Sequence, residues 1–276
     1  MGHLRISAIS YLNTAPLMWD FQHGTAGTRF DISYTIPSLC AGALRDGTAD
    51  IGIIPVAAYA TIPDLVVLPD VAIAAKGAVR SILLVSKVPL DEIRTVALDS
   101  SSMTSVALMK VLFFKWLGGP RSYTAMKPKL MEMLREHDAG LLIGDPAMQI
   151  DRNRYLTFDL SEEWNRFTGK PFVFAFWAIR RASIEHSDED VAGVFRASRD
   201  HGLEPDHVAK IAQLWAPRLA ISEAEVVKYL TQNIHYHLDP ACLEGLQLFY
   251  EYAAECGALP RAPELSFYDA PKAATR

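Results

Sequence analysis

Val96-Ala97-Leu98-Asp99-Ser100-Ser101-Ser102-Met103-Thr104-Ser105-Val106-Ala107-Leu108-Met109 is the stretch that decides the fold. Its first three residues read as the end of a buried strand, and Asp99 to Ser102 as a polar turn. From Thr104 the apolar positions Val106, Leu108, Met109, Leu112 and Phe113 take helical spacing. Strand, polar turn and helix make the repeating unit of an α/β protein. Ser and Thr are favoured where a helix begins, because their oxygens accept from N–H groups that have no partner inside the helix. Five hydroxyls among the six residues 100–105 exceed what one cap requires. A helix N-terminus also carries partial positive charge and therefore suits a carboxylate or phosphate. The other reading is an over-polar cap facing water. Which holds depends on whether other segments bring donors to the same place.

Upstream, Leu4–Ile9 alternates as a first strand and breaks into Ser10-Tyr11-Leu12-Asn13-Thr14-Ala15-Pro16. A polar loop after a first strand is where α/β proteins place ligand contacts. Asn13 can donate and accept from one amide; alternatively Asn13 or Thr14 caps a helix beginning at Pro16. Phe30–Ile36 is a second strand, followed by Pro37-Ser38 and a helix that stops at Gly47. A short apolar strand lies within 49–55, and 65–74 is again β-like, with a turn at Lys76-Gly77-Ala78. Val79–Ser86 reads as a strand, and Ser81 within it needs a partner if buried, either a backbone carbonyl or a ligand. Pro89–Ile93 reads as a boundary, after which the pattern restarts at Val96.

Downstream, Lys129–His137 is helical, and Ala139–Ile143 is a buried strand ending in the turn Gly144-Asp145 before a Pro-started helix. Asp145 either holds a ligand hydroxyl or caps that helix. Asp159–Pro171 reads as a polar-aromatic loop with a short helix, and Phe172–Ile179 as an apolar return strand. Helices follow at Asp188–Gly202, Glu204–Ala216, Ser222–Asn233 and Pro240–Gly257, and the Pro- and Ala-rich tail 260–276 is expected to fray. The pattern predicts two α/β lobes with a ligand cleft between them. One lobe takes 1–88 and 178–276, and the inserted lobe takes 89–177. Ser10–Thr14, Ser38 and Ser81 would face the cleft from one side, and Asp99–Ser105 with Gly144 and Asp145 from the other.

Half of the 276 residues are hydrophobic and 21% are charged, which supplies a core and excludes global disorder. A net charge of −5 argues against nucleic acid as the main partner. The three cysteines, Cys40, Cys242 and Cys256, are widely spaced with no C-x-x-C pair, as expected of reduced thiols rather than a zinc site. The N-terminus lacks a signal-peptide pattern and no apolar run is long enough to span a bilayer, so a cytoplasmic location is expected, with no membrane partner. His235-Tyr236-His237 reads as surface rather than metal site, and Lys76 and Arg80 as a solvated face.

Seven blocks in order carry a family resemblance: S-Y-L-N-T-A-P-L (10–17), P-S (37–38), G-T-A-D-I-G-I-I-P-V (47–56), K-G-A-V-R-S-I-L-L-V-S (76–86), L-D-S-S-S-M-T-S (98–105), L-L-I-G-D (141–145) and T-G-K-P-F-V-F-A-F-W (168–177). Together they resemble the MqnA-type menaquinone-biosynthesis proteins, the chorismate dehydratases of the futalosine pathway, from Arg5 to about Gly257. The resemblance implies a periplasmic-binding-protein-like type II fold. It also implies elimination of water from chorismate to 3-[(1-carboxyvinyl)oxy]benzoate, driven by aromatisation, with no cofactor or metal. In the same terms Asn13 and Ser81 are the catalytic candidates. Ser10, Tyr11, Thr14, Ser38, Ser102, Thr104, Ser105, Gly144 and Asp145 are the substrate-binding ones. Met103 stands where the family usually has a basic residue.

No His or Glu falls in the matched loops, so the substrate's own enolpyruvyl carboxylate is the expected proton acceptor, with Asp145 and Asp99 as protein alternatives. Two rival classes are a solute-binding protein for a small carboxylate and the related lyase acting on a cyclic futalosine derivative. The absent signal peptide weighs against the first. The absence of a well-placed catalytic His weighs against the second.

Overall fold

The computed structural model describes residues 3–184 and 190–269. Ten strands form two five-stranded sheets. The first sheet contains β1 (Leu4–Ile9), β2 (Phe30–Thr35), β3 (Ile51–Pro55), β4 (Leu65–Ala75) and β10 (Phe172–Arg180), in the order β2-β1-β3-β10-β4. The second contains β5 (Ile82–Ser86), β6 (Thr95–Asp99), β7 (Ser122–Met126), β8 (Ala139–Ile143) and β9 (Leu156–Asp159), in the order β7-β6-β8-β5-β9. In each, four strands run one way and one runs against them: β10 pairs antiparallel with β3 and β4, and β5 with β8 and β9. The central strands β3, β5 and β8 are buried along their whole length, which is why they read as continuous apolar runs rather than alternating ones.

The two-lobed α/β architecture matches the expectation, but its crossings lie elsewhere. Ile82–Ser86 belongs to the second sheet and Phe172–Arg180 to the first, so the chain changes sheets within 76–81 and again within 160–171, not at 88 and 177. The reason lies in pairing. A five-residue, fully buried strand must be flanked on both edges, and β5 finds that only between β8 and β9. The Pro89 turn is a one-turn 3-10 helix inside the second lobe. Residues 65–75 form a single strand in which Asp70 takes a left-handed conformation (φ +63°). Arg80 does the same (φ +67°), delaying the start of β5 to Ile82.

The first crossing is clamped by Asp159, whose carboxylate accepts from Val79 N (3.2 Å) and Arg80 N (2.6 Å) and also caps the Leu160–Thr168 helix through Ser161 N and Glu162 N. The tail does not fray as far as residue 269: Ser266 O accepts from Val67 N and Tyr268 N donates to Val67 O, at 2.8 and 2.9 Å. Helix Ser222–Asn233 has the expected extent but changes type, being α-helical over Glu223–Lys228 and then π-helical over Tyr229–Asn233. The expected start of the Asp188 helix lies outside the described residues; its described part is Val191–Gly202.

One apolar cluster runs continuously through both lobes. Rings of β10, the Leu160–Thr168 helix and the C-terminal helix Pro240–Glu255 meet in it, with Phe172 and Phe249 centred 5.0 Å apart and Trp164 edge-on to both. A smaller cluster around Met133 and Leu134 covers the opposite face of the second sheet.

Candidate active site

The loop after β1 reaches across to the turns after β6 and β8. Leu12 N donates to Asp145 Oδ1 (3.1 Å). Gly144 is left-handed (φ +62°), and a Cβ on it would lie 2.6 Å from the Tyr11 ring, so glycine is what lets the ring lie against this turn. Thr104 pins the lobes a second time. Its Oγ1 donates to Phe174 O (3.1 Å) and accepts from Ala57 N (3.2 Å).

Between these contacts lies a narrow cavity of about 50 Å³, below the roughly 300–1,000 Å³ of typical small-molecule sites, so a ring-sized ligand needs its walls to part. Its apolar walls include Ile9, Ile73, Ile82, Ile143 and Phe174. Its polar contributors are Tyr11, Asn13, Ser102, Thr104 and Ser105, with Gly144 at the turn. Met103 also lines it, and none of its described lining residues is a Lys, Arg or His. An anion here would meet hydroxyls, an amide and the N-terminus of the Thr104–Trp116 helix rather than a cation.

The structure brings together Tyr11, Asn13, Ser102, Ser105 and Gly144 as the sequence suggested. Several other expectations are corrected. Ser10 and Thr14 line a separate outer groove shared with Tyr34, Trp215 and Arg218. Ser10 Oγ is turned to Thr35 O (3.3 Å), and Thr14 Oγ1 to Asn13 Oδ1 (3.4 Å). Ser10 lies before a 3-10 turn (Leu12–Thr14) and Thr14 closes it, so both lie off the segment that presents Tyr11 and Asn13 to the cavity. Ser38 is half-buried beside Pro37, which lines the cavity where Ser38 does not. The Thr104 hydroxyl is consumed by its two inter-lobe bonds.

Ser81 and Asp145, expected at the site, do not line the cavity, although their chain neighbours Ile82 and Gly144 do. Ser81 is buried and accepts from the Tyr229 hydroxyl (2.8 Å). Burial raises the Asp145 carboxyl to about 6, with the Leu12 N–H partly offsetting it. Asp99 is an internal anchor: Oδ1 accepts from Ser101 N (2.9 Å) and Oγ (2.6 Å), Oδ2 from Ile143 N (3.4 Å), and burial raises its pKa.

Tyr229 is the residue that sequence reasoning missed. It looked like one more apolar position in a helical run. The segment Tyr229–Asn233 includes the good helix formers Leu230 and Gln232, so its propensities give no sign of the π-helical turn.

His235, Asp239 and Cys242 place one potential ligand atom each within 4.8 Å of one another. Lys76 Nζ, however, is 2.8 Å from Asp239 Oδ2, and Asp239 Oδ1 caps the Pro240–Glu255 helix through Cys242 N. The expected surface placement of 235–237 is corrected: Tyr236 is buried, His235 and His237 are half-buried, and Lys76 is paired with Asp239 rather than only solvated. Arg80 lies 4.0 Å from Glu225, a loose ion pair.

The two sheets, with a mostly uncharged cavity roofed by a helix N-terminus, define the periplasmic-binding-protein-like class. An Archaeoglobus fulgidus protein of known crystal structure superposes with a TM-score of 0.71 at 16% identity, covering 93% of this chain and 98% of its own. The periplasmic aliphatic sulphonate binding protein of Escherichia coli gives 0.65 at 17% identity, covering 99% and 96%. Both show the fold alone. Residues 4–255 match the menaquinone biosynthesis family, and the chain belongs to it. A chorismate dehydratase of Thermus thermophilus is 31% identical over 271 residues, 92% of this chain and 94% of that one.

Proposed function

We propose that this protein is a chorismate dehydratase, a hydro-lyase that forms 3-[(1-carboxyvinyl)oxy]benzoate in the cytoplasm on the futalosine route to menaquinone. The observation that carries the reading is its relationship to the Thermus enzyme over nearly the whole chain of both. The cavity chemistry is compatible with it. Chorismate carries two carboxylates and a ring hydroxyl. Its dehydration removes the proton from the ring carbon bearing the ether oxygen and expels the hydroxyl from the adjacent carbon. The electrons left by the proton spread through the diene to the ring carboxylate. Fixed donors there stabilise charge as it develops. Ser102, Ser105 and the backbone N–H groups that open the Thr104–Trp116 helix are suited to that task.

The proton acceptor is the substrate's enolpyruvyl carboxylate, tethered one ether oxygen from the reacting carbon. Asn13 orients it, and Ser81 assists the departing hydroxyl. Apolar walls keep competing water away and strengthen each of these contacts. Purified protein given chorismate alone should yield a product lighter by one water, and Asn13→Ala should lower kcat at least tenfold. Unchanged chorismate would refute the reading. Chorismate that stabilises the fold without reacting would instead favour a binding protein.

A further inference from the structure

We propose that Tyr229 is a positioning residue for this dehydration: its hydroxyl donates to Ser81 Oγ (2.8 Å), leaving the Ser81 proton, which has no acceptor among the described residues, for the departing hydroxyl of a substrate that parts the Ile82–Gly144 wall. The inference rests on the dehydratase reading and extends it to a residue outside the matched loops. Tyr229 is 1% exposed and opens the π-helical turn Tyr229–Asn233, a local widening of the kind found at functional sites. Two other buried tyrosines show what a core tyrosine does here. Tyr59 donates to Leu65 O and Tyr250 to Val56 O, both backbone carbonyls. Tyr229 instead gives its hydroxyl to a side chain, that of Ser81, the chain neighbour of the cavity-lining Ile82.

A serine hydroxyl has one proton and two lone pairs. When Tyr229 fills a lone pair, the Ser81 proton is free for an acceptor on the other side. The Ser81 carbonyl is already held by Gly144 N (2.8 Å), so the backbone cannot swing to spoil the aim. Burial keeps the phenol protonated far above neutral pH, and it therefore remains a donor throughout the reaction. No proton leaves Tyr229 or Ser81. The ring C–H proton passes to the enolpyruvyl carboxylate and then to the expelled hydroxide, forming water, while Ser81 hydrogen-bonds the departing oxygen.

Tyr229→Phe, Ser81→Ala and the double variant test this, with kcat and KM for chorismate measured for each. Tyr229→Phe should lower kcat roughly ten- to a hundredfold with KM changed less than about threefold. The double variant should be no slower than Ser81→Ala, because Tyr229 acts only through Ser81. A full-rate Tyr229→Phe protein, or losses that multiply in the double variant, would overturn the inference and leave the dehydratase reading intact. Wild-type protein inert toward chorismate would bring down both. If Phe at 229 does not fold, difluorotyrosine installed there keeps the shape but acidifies the phenol. The high-pH limb of kcat should then move to lower pH, and an unmoved limb would count against the relay.

Discussion

Replacing Gly144 by alanine tests the packing at the lobe junction most directly. Two costs combine. A left-handed residue with a side chain costs about 1–2 kcal/mol relative to glycine. The added methyl would also lie 2.6 Å from two carbons of the Tyr11 ring and 3.0 Å from a third, forcing the half-buried ring to move. Overpacking of that kind costs roughly 1–3 kcal/mol. The sum is about 2–5 kcal/mol.

Gly169 separates the terms, because it has nearly the same conformation (φ +68°) with nothing within 4 Å of its would-be Cβ. Gly169→Ala should cost only the backbone part, about 1–2 kcal/mol. Urea unfolding of both variants, with unchanged m-values, measures the difference. Tyr11→Ala combined with Gly144→Ala should recover the ring term. Equal losses at Gly144 and Gly169, or no recovery in the double variant, would refute the account of Gly144 as the seat of the Tyr11 ring.

Further predictions follow from single contacts. Thr104→Val keeps the shape but orphans Ala57 N and Phe174 O, and should cost about 1–3 kcal/mol in the same unfolding assay. Asp145 titrates near 6 when folded, above its unfolded value near 3.9. The native state therefore binds more protons between about pH 4 and 6. Its contribution to stability is fully present below pH 4 and is lost as pH rises through 6. Asp145→Asn should consequently flatten the stability profile across that window and gain roughly 2 kcal/mol on wild type at pH 7.5, with no gain at pH 4. Met103→Arg would put the missing cation into the cavity and should lower KM for chorismate severalfold, more at low salt than at high.

Most of the fold was legible because buried strands and their polar turns are local features. Val96–Ser105 and Leu141–Asp145 could be read residue by residue. The lobe boundary was not legible, because β5 joins the second sheet through β8 and β9, pairings with residues more than fifty positions away. The turn at Pro89 carries stronger local signals than the true crossing, which is held by the remote carboxylate of Asp159. At the site, residue type was enough to suggest Asn13 and Ser105. Whether a hydroxyl is free or already engaged depends on tertiary partners, as Thr104 shows. Tyr229 was hidden for the opposite reason: an aromatic in a helical run has many core uses, and only its hydroxyl partners single it out.

The strand order of the first sheet has a consequence for how the chain is made. β10 lies between β3 and β4, although about a hundred residues separate it from either in the chain. While the ribosome works through the second lobe, β4 has no neighbour to pair with on that side. The strands of the second lobe, by contrast, are contiguous from Ile82 to Asp159. The inserted lobe is thus the first part able to complete its sheet during synthesis, and the lobe that begins the chain must wait for residue 180. Until then β4 is an open, apolar edge of eleven residues, the segment of this protein most in need of a chaperone.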